Sequence, residues 1–298
     1  MRTTKRFTPV VLRRFERERR GDGTYADYRG QHRVTRGDPA SRGRSHLLHF
    51  RGRLRDLLSD GEWHEQLFAT MLPDLDDCRE QQPLSVEPSP CVLSEYGDAS
   101  PLASFPGTQE LAAQLGIKHP QVSDRGETVP WPLSTDLVLI RTSQGRRRSV
   151  VAIASKPEAD LASPRKRQLL ELERAYWRVR GHDWLLLTER CYDRAVALTL
   201  RRIAPWALGP ASSREHMQTA VEIARRRSDA PFSRVNAEVT DAVGDPDRAK
   251  CALWQAVWTG ALPIDLVRGW RPHLPLHHIP SDLFWRFNPI AARRSVWS

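Results

Sequence analysis

Three short runs of branched apolar residues, DLVLI at 136–140, SVVAIA at 149–154 and DWLLLT at 183–188, constrain the fold of this chain more than any other feature. Each has the length and the branched apolar content of a buried strand. The polar segment 141–148, with Gly145, suits a hairpin between the first two. Between the second and third lies a helical pattern over 164–180, ended by Gly181, so the segment reads strand, strand, helix, strand. The implied class is α/β.

Further elements follow from capping and spacing. Ser59 with Glu62 three residues on forms a capping box for a helix over 59–72, whose Trp63, Leu67 and Met71 share one face and which Pro73 stops. Residues 85–107 are rich in Pro, Ser and Gly and read as a surface loop, followed by a short helix at 108–115 closed by Gly116. From about residue 191 the pattern changes to consecutive helices. Ser212 with Glu215 forms a second capping box, Phe232, Val235, Val239 and Val243 lead to Gly244, and Asp245 with Pro246 opens a helix carrying Leu253, Trp254, Val257 and Trp258. A short strand is expected at 261–266. Helices plus a strand suit a helix-turn-helix or winged-helix module, although helical packing alone produces the same periodicity. The domains are therefore drawn as 1–190 and 191–298, with the proline-rich stretch 271–298 as a strap or partner-binding tail.

Charge is unevenly placed. The 298 residues carry a net +10, yet residues 1–55 hold sixteen Lys or Arg against five acids, while the remainder has 30 basic and 31 acidic side chains. A concentrated basic arm is the footprint of a polyanion ligand such as nucleic acid. The alternative is a solvated tail in a chain where 41 of 46 basic residues are Arg. No apolar run approaches the roughly 20 residues that cross a bilayer, and the N-terminal apolar stretch is short and broken by Pro9. A cytoplasmic protein, nucleoid-associated when bound to DNA, is expected. Cys78, Cys91, Cys191 and Cys251 lie far apart with no C-x-x-C pair, so buried thiols are expected rather than a zinc site or disulfides.

The sharpest chemical pattern joins Asp136, opening the first strong strand, to Ser155 and Lys156, closing the next. Adjacent strands lie about 4.8 Å apart, so such a carboxylate and lysine can meet at a sheet edge. That is the geometry of PD-(D/E)xK nucleases, in which carboxylates hold Mg²⁺ and lysine orients the nucleophile. Glu62 is placed to add a carboxylate from a preceding helix. Plainer accounts exist: Glu62 as a helix cap alone, Asp136 as a solvent-facing strand end, Lys156 as a strand terminator before Pro157. His273, His277 and His278 lack accompanying Cys or carboxylate spacing. Neither a P-loop nor a dinucleotide fingerprint is present.

The ordered strings RRGDGTYADYRGQHRVTRGDPASRGRSH, LLSDGEWHEQLF, DCREQQPL, TQELAAQLGIKHP, STDLVLI, ASKPEADL and ELERAYWRVRGHDWLLLTE resemble the TnsA endonuclease subunit of heteromeric cut-and-paste transposases. The resemblance runs over roughly residues 20–190. It implies a restriction-endonuclease-like PD-(D/E)xK core with a helical, winged-helix-like C-terminal domain. It also implies Mg²⁺-dependent cleavage, with Mn²⁺ substituting, of the 5′ non-transferred strand at transposon ends. The implied partners are transposon-end DNA, a DDE transposase subunit (TnsB-like) and an AAA+ ATPase regulator (TnsC-like). By motif, the helix glutamate falls on Glu62, the aspartate on Asp136, the lysine on Lys156 and a less direct glutamate on Glu173. Ser155 would contribute its backbone carbonyl to the metal, and Arg20, Arg42 and Arg44 of the arm would grip phosphates. One position departs: where the family often has a polar ligand two residues before the lysine, this chain has Ala154. A methyl group cannot bind metal. Two other readings therefore stand beside the nuclease: a DNA-binding adaptor with a degenerate site, and a stand-alone restriction-type nuclease.

Overall fold

The computed structural model of the protein describes residues 7–35, 38, 44–142 and 147–297. The chain divides into two compact units, neither of them one continuous stretch. The first comprises Met1–Trp63, Asp74–Thr188 and Ser295–Ser298, the second His64–Pro73 and Glu189–Arg294.

The first unit begins with helix α1 (Pro9–Arg17), capped by Thr8, and an antiparallel hairpin of β1 (His46–Phe50) and β2 (Arg53–Leu57). Helix α2 (Asp60–Thr70) starts in this unit and continues into the second. Strand β3 (Leu75–Pro83), helix α3 (Thr108–Gln114) and a small hairpin of β4 (Gln121–Asp124) and β5 (Glu127–Pro130) follow. The three apolar runs become β6 (Ser134–Thr142), β7 (Arg148–Ser155) and β8 (Asp183–Leu187), with α4 (Pro164–Val179) between the last two. They join β3 in a four-stranded sheet ordered β3-β6-β7-β8. The first two pairings are antiparallel. The third, β7 with β8, is parallel, as the crossover through α4 requires. The architecture is thus mixed α/β.

The central strands are apolar without alternation because both faces are covered: Val138–Ile140 and Ala152–Ala154 have essentially no solvent exposure. Leu170, Leu172, Tyr176 and Trp177 of α4 pack on this sheet with Leu84, Leu111 and Trp184. At the far edge, the backbone N–H of Val296 donates to the Leu186 carbonyl at 2.9 Å, and that of Leu186 to Ser295 Oγ at 3.1 Å. The chain end thereby satisfies part of the β8 edge.

Strand β3 has no apolar period, and sequence patterning does not find it. Its residues Asp77, Arg79, Glu80 and Gln81 are nonetheless buried. Asp77 and Glu80 are met by Tyr25 and Tyr28 of the basic arm and by the first hairpin, whereas Arg79 pairs with Glu95 at 2.9 Å and donates to Tyr96 Oη at 2.9 Å. Arg53 forms a two-pronged ion pair with Glu80, one prong at 2.7 Å, and Arg55 lies 3.4 Å from the same carboxylate. Arg53 also donates to the Cys78 carbonyl at 3.0 Å, and Tyr28 Oη to the Glu80 carbonyl at 3.2 Å. Part of the arm's charge is therefore internal, while Arg13, Arg17, Arg19, Arg29, Arg33, Arg44 and Arg51 are exposed. Arg20, expected on phosphate, is 5% exposed and ion-paired with Glu18 at 2.7 Å and Asp38 at 2.6 Å. That expectation is corrected: a guanidinium held by two carboxylates is not available to DNA. Arg44 is exposed. Arg42 lies outside the described residues.

The second unit contains α5 (Arg194–Ala207), α6 (Arg214–Arg226), α7 (Phe232–Val243) and α8 (Pro246–Trp258), with a short α9 (Ser281–Arg286) near its end. Helices α5, α6 and α7 all pack on α8, whose residues from Cys251 to Trp258 are all buried. Gln255 is the polar exception. Its Nε2 donates to the Pro210 carbonyl at 2.8 Å, and its Oε1 accepts from the backbone N–H of Ser212 at 2.8 Å. Ser212 is thereby committed to the turn, and the cap of α6 is Ser213, one residue later than expected, with its Oγ accepting from His216 N at 3.1 Å.

Segment 261–266 keeps a strand's alternation, with Leu262, Ile264 and Leu266 fully buried, but makes a single antiparallel bridge, Ile264 to His278. Pro263 has no N–H to extend it. The C-terminal stretch is a strap. Phe284, Asn288 and Ile290 are buried, and Asn288 Nδ2 donates to the Phe68 carbonyl at 2.8 Å. All four cysteines are buried and outside disulfides. Among the described residues no helix is long and apolar enough to cross a membrane.

Candidate active site

The site forms where α2 begins and where β6 and β7, the central strands, reach one end of the sheet. Gly61 permits the approach: a Cβ there would lie 3.0 Å from Ser155 Oγ. Ser59 caps α2 by accepting from Glu62 N at 3.1 Å. The Glu62 carboxylate folds back to accept from Leu58 N, one residue before the cap, at 2.9 Å and from Ser59 Oγ at 3.2 Å, a variant of the capping box. Glu62 is therefore a cap, and also more than that. Its Oε2 accepts from Gln81 Nε2 at 3.0 Å, and the same nitrogen lies 3.4 Å from Asp136 Oδ1. Replacing Ser59 with alanine should cost about 1 kcal/mol through loss of the cap, measured by urea denaturation, and should loosen the Glu62 carboxylate. An unchanged midpoint would refute the cap's contribution.

Asp136 is held from the other side. Its Oδ2 accepts from Ser155 N at 2.8 Å and pairs with Lys156 Nζ in a very short contact. Lys156 itself is tied down by its N–H to the Leu187 carbonyl of β8 at 3.1 Å. Residues 62, 136 and 156, dispersed in the chain, are thus brought to one place, at the ends of central strands rather than at a sheet edge. Ser155 enters through its N–H. Ala154 is fully buried in the core.

Charge in this site is unbalanced. Burial, then the neighbouring Asp136 charge, push the Glu62 carboxyl up to about 7 against the pull of the Leu58 N–H and Lys156. Burial would lower the Lys156 ammonium, but Asp136, Glu173 and Glu62 outweigh it and hold its pKa above the ordinary lysine value. Glu173 shares the face of α4 that carries Leu170 and Trp177 and is almost wholly buried. Its Oε1 accepts from Thr135 Oγ1 at 2.8 Å and Trp184 Nε1 at 3.2 Å, while Trp177 Nε1 donates to Thr135 Oγ1 at 2.8 Å. Burial raises the Glu173 carboxyl to about 7, with Lys156 opposing and Asp136 adding to the rise.

A raised carboxylate pKa means that the folded protein binds the proton more tightly than the unfolded chain. Stability from this group is complete below about 4.5 and is lost as the pH rises through about 7. Glu173→Gln retains an acceptor for both Thr135 and Trp184 without the charge. In denaturant titrations of the metal-free protein at pH 5 and 8, it should reduce the loss of stability at the higher pH by a few kcal/mol at most. An identical pH dependence in the variant would contradict the assignment.

The two carboxylates are hard oxygen donors and, against the single Lys156 ammonium, leave excess negative charge, which suits a divalent cation of the Mg²⁺ kind. Among the described residues no group of three or more His, Cys, Asp or Glu side chains is arranged as a metal cluster. Any such cation would therefore need amide, carbonyl or water oxygens beside Glu62 and Asp136. Sequence reasoning missed Gln81. Its signal lay in the DCREQQPL string, where a polar run without period conceals a buried strand. A cavity of about 930 Å³ elsewhere in the unit, lined by Phe15, Leu84, Tyr176 and Trp177 among others, includes none of the three site residues.

Residues 93–189 match the family of TnsA-like endonuclease N-terminal domains. That span contains Asp136, Lys156 and Glu173 but not Glu62. Over 186 residues the chain is 34% identical to the transposon Tn7 transposition protein TnsA of Escherichia coli, an alignment covering 62% of this chain and 58% of that protein. The chain thus matches a little over half the length of this relative. Through the domain that carries Asp136, Lys156 and Glu173, the likeness of this chain to TnsA-type endonuclease subunits is shown.

Proposed function

We propose that this protein is the endonuclease subunit of a heteromeric transposase, hydrolysing the 5′ non-transferred strand at transposon ends. The observation that carries this reading is the convergence of Glu62, Asp136 and Lys156 at one end of the sheet, inside a chain similar to TnsA. The first unit is read as a restriction-endonuclease-like PD-(D/E)xK core. The helices around α8 are read as a winged-helix-like domain whose wing is reduced to the Ile264–His278 bridge.

Glu62 and Asp136 would hold Mg²⁺, or Mn²⁺ in its place, with the Ser155 carbonyl and waters filling other positions. Bound there, the cation would lower the pKa of a water and offset charge on the scissile phosphate. Lys156, 29% exposed, keeps a charged N–H donor at the mouth of the site, where it would orient the attacking water. Ser155 N–H fixes the Asp136 carboxylate, and Glu173 adds negative charge that keeps Lys156 protonated. Exposed arginines such as Arg44, with Arg42 of the same segment, would contact phosphate without reading bases. Partners of the TnsB and TnsC kind, a DDE transposase and an AAA+ regulator, follow from the same reading.

The decisive assay is nicking of transposon-end DNA by the full chain with its cognate transposase subunit and Mg²⁺. Cleavage that needs Asp136 and Lys156 supports the proposal. Assembly on DNA without any nicking by the unaltered chain would favour the adaptor reading, and cutting without the partner would favour a stand-alone nuclease.

A further inference from the structure

Gln81 occupies a position that strand structure alone does not explain. Its neighbours Glu80 and Gln82 pair with Leu137 and Thr135, so it faces Asp136 across the strand pair. Yet its φ is +50°, in the left-handed region that non-glycine residues rarely adopt. The distortion is held from outside the sheet. Gln31 N–H donates to the Gln81 carbonyl at 2.9 Å, and Gly30 sits so close that a Cβ would lie 2.9 Å from the Glu80 carbonyl. A strained backbone persists only where surrounding contacts enforce it, commonly at functional positions. What the strain achieves here is to aim a 2% exposed amide between two buried carboxylates.

The amide is used at both ends. Nε2 donates towards Glu62 and Asp136, and Oε1 accepts from Ser134 Oγ at 3.3 Å. An amide nitrogen is the right group between two carboxylates when no cation is there, because its two N–H dipoles offset their repulsion. It is the wrong group once a cation arrives. The two ends of the amide are nearly the same size, so a half-turn about Cγ–Cδ exchanges donor for acceptor without changing volume. Ser134 tolerates either state, since its hydroxyl can donate to oxygen or accept from nitrogen.

We propose that Gln81 is a switchable ligand of the site: its amide bridges Glu62 and Asp136 in the cation-free protein and turns to present Oε1 to a divalent cation. The inference rests on the proposed metal-dependent nuclease reading and goes beyond it in assigning a residue and a change of state. Gln81 then supplies a second neutral protein oxygen beside the Ser155 carbonyl, from the strand next to Asp136.

The test uses the full chain and Mn²⁺ alone, titrated calorimetrically, with thermal melts to verify folding. Gln81→Leu should bind Mn²⁺ at least about fivefold more weakly than the unaltered protein, and Gln81→Glu, which offers only oxygen, should bind at least as tightly. In addition, the side-chain amide resonances of Gln81 should shift on saturation with diamagnetic Mg²⁺, a readout that needs no variant. A smaller loss in Gln81→Leu, weaker binding in a folded Gln81→Glu, or unmoved amide resonances at saturating Mg²⁺ would each overturn the role of Gln81 while leaving the metal site intact. If the unaltered chain binds no Mn²⁺, or Asp136→Ala binds it equally well, the metal reading itself fails and Gln81 with it.

Discussion

Asp136→Asn is expected to reduce strand cleavage by at least about a thousandfold, since each factor of ten corresponds to about 1.4 kcal/mol of transition-state stabilisation and the substitution removes one of two carboxylates able to hold the cation. The asparagine retains an oxygen for Ser155 N–H, so the end of β7 keeps its hydrogen bond. What disappears is the charge that faces Lys156 and is bridged by Gln81 to Glu62. Lys156→Ala should be comparably inactive while still assembling on DNA, because its side chain is partly exposed and its backbone contact to Leu187 persists. Nicking of labelled transposon-end DNA in the presence of the cognate transposase measures both. Retention of ordinary rates by either variant would end the proposed catalytic assignment.

The second large effect concerns stability rather than catalysis. Glu80→Ala should destabilise the protein by about 3–5 kcal/mol, because removing one partner of a buried ion pair leaves the other charge uncompensated. Arg53 is 8% and Arg55 1% exposed, and both face this carboxylate. The carbonyl of Cys78 still accepts from both guanidinium groups, but a neutral acceptor cannot offset their charge. Asp22→Ala offers the contrast. Its pair with Arg19 is 55% and 77% exposed on its two sides, so a change of no more than about 1 kcal/mol is expected. Urea denaturation of the two variants decides the matter. A Glu80 variant as mild as the Asp22 variant would show that the arm is not anchored through this cluster.

These two predictions divide along the line between what can be read locally and what cannot. The strands at 136–140, 149–154 and 183–188, the helix at 164–180 and the box of Ser59 with Glu62 were legible because each depends on neighbours within a few residues. So was the pairing of Asp136 with Lys156, since a hairpin followed by a strand end leaves few places for those side chains. Strand β3 was not legible: its polar residues are buried by partners some 16 to 55 positions away, Glu95, Arg53 and Asp136 among them. Arg20 was misread for the same reason. A run of arginines has the same sequence appearance whether it meets phosphate or internal carboxylates, and only the arrival of Asp38 beside Arg20 separates the two.

By itself, the sequence determined an α/β first half built on three apolar strands, a helical second half, and a carboxylate and lysine at neighbouring strand ends, since periodicity and capping act over one or two turns. The tertiary structure decided that Arg20, Arg53 and Arg55 of the basic arm pair with internal carboxylates, that Glu62 is not a helix cap alone but reaches Asp136 through a shared partner, and that this partner is Gln81. The physical reason is that a buried polar group must find its partner wherever the fold brings one, and sequence separation carries no record of that distance.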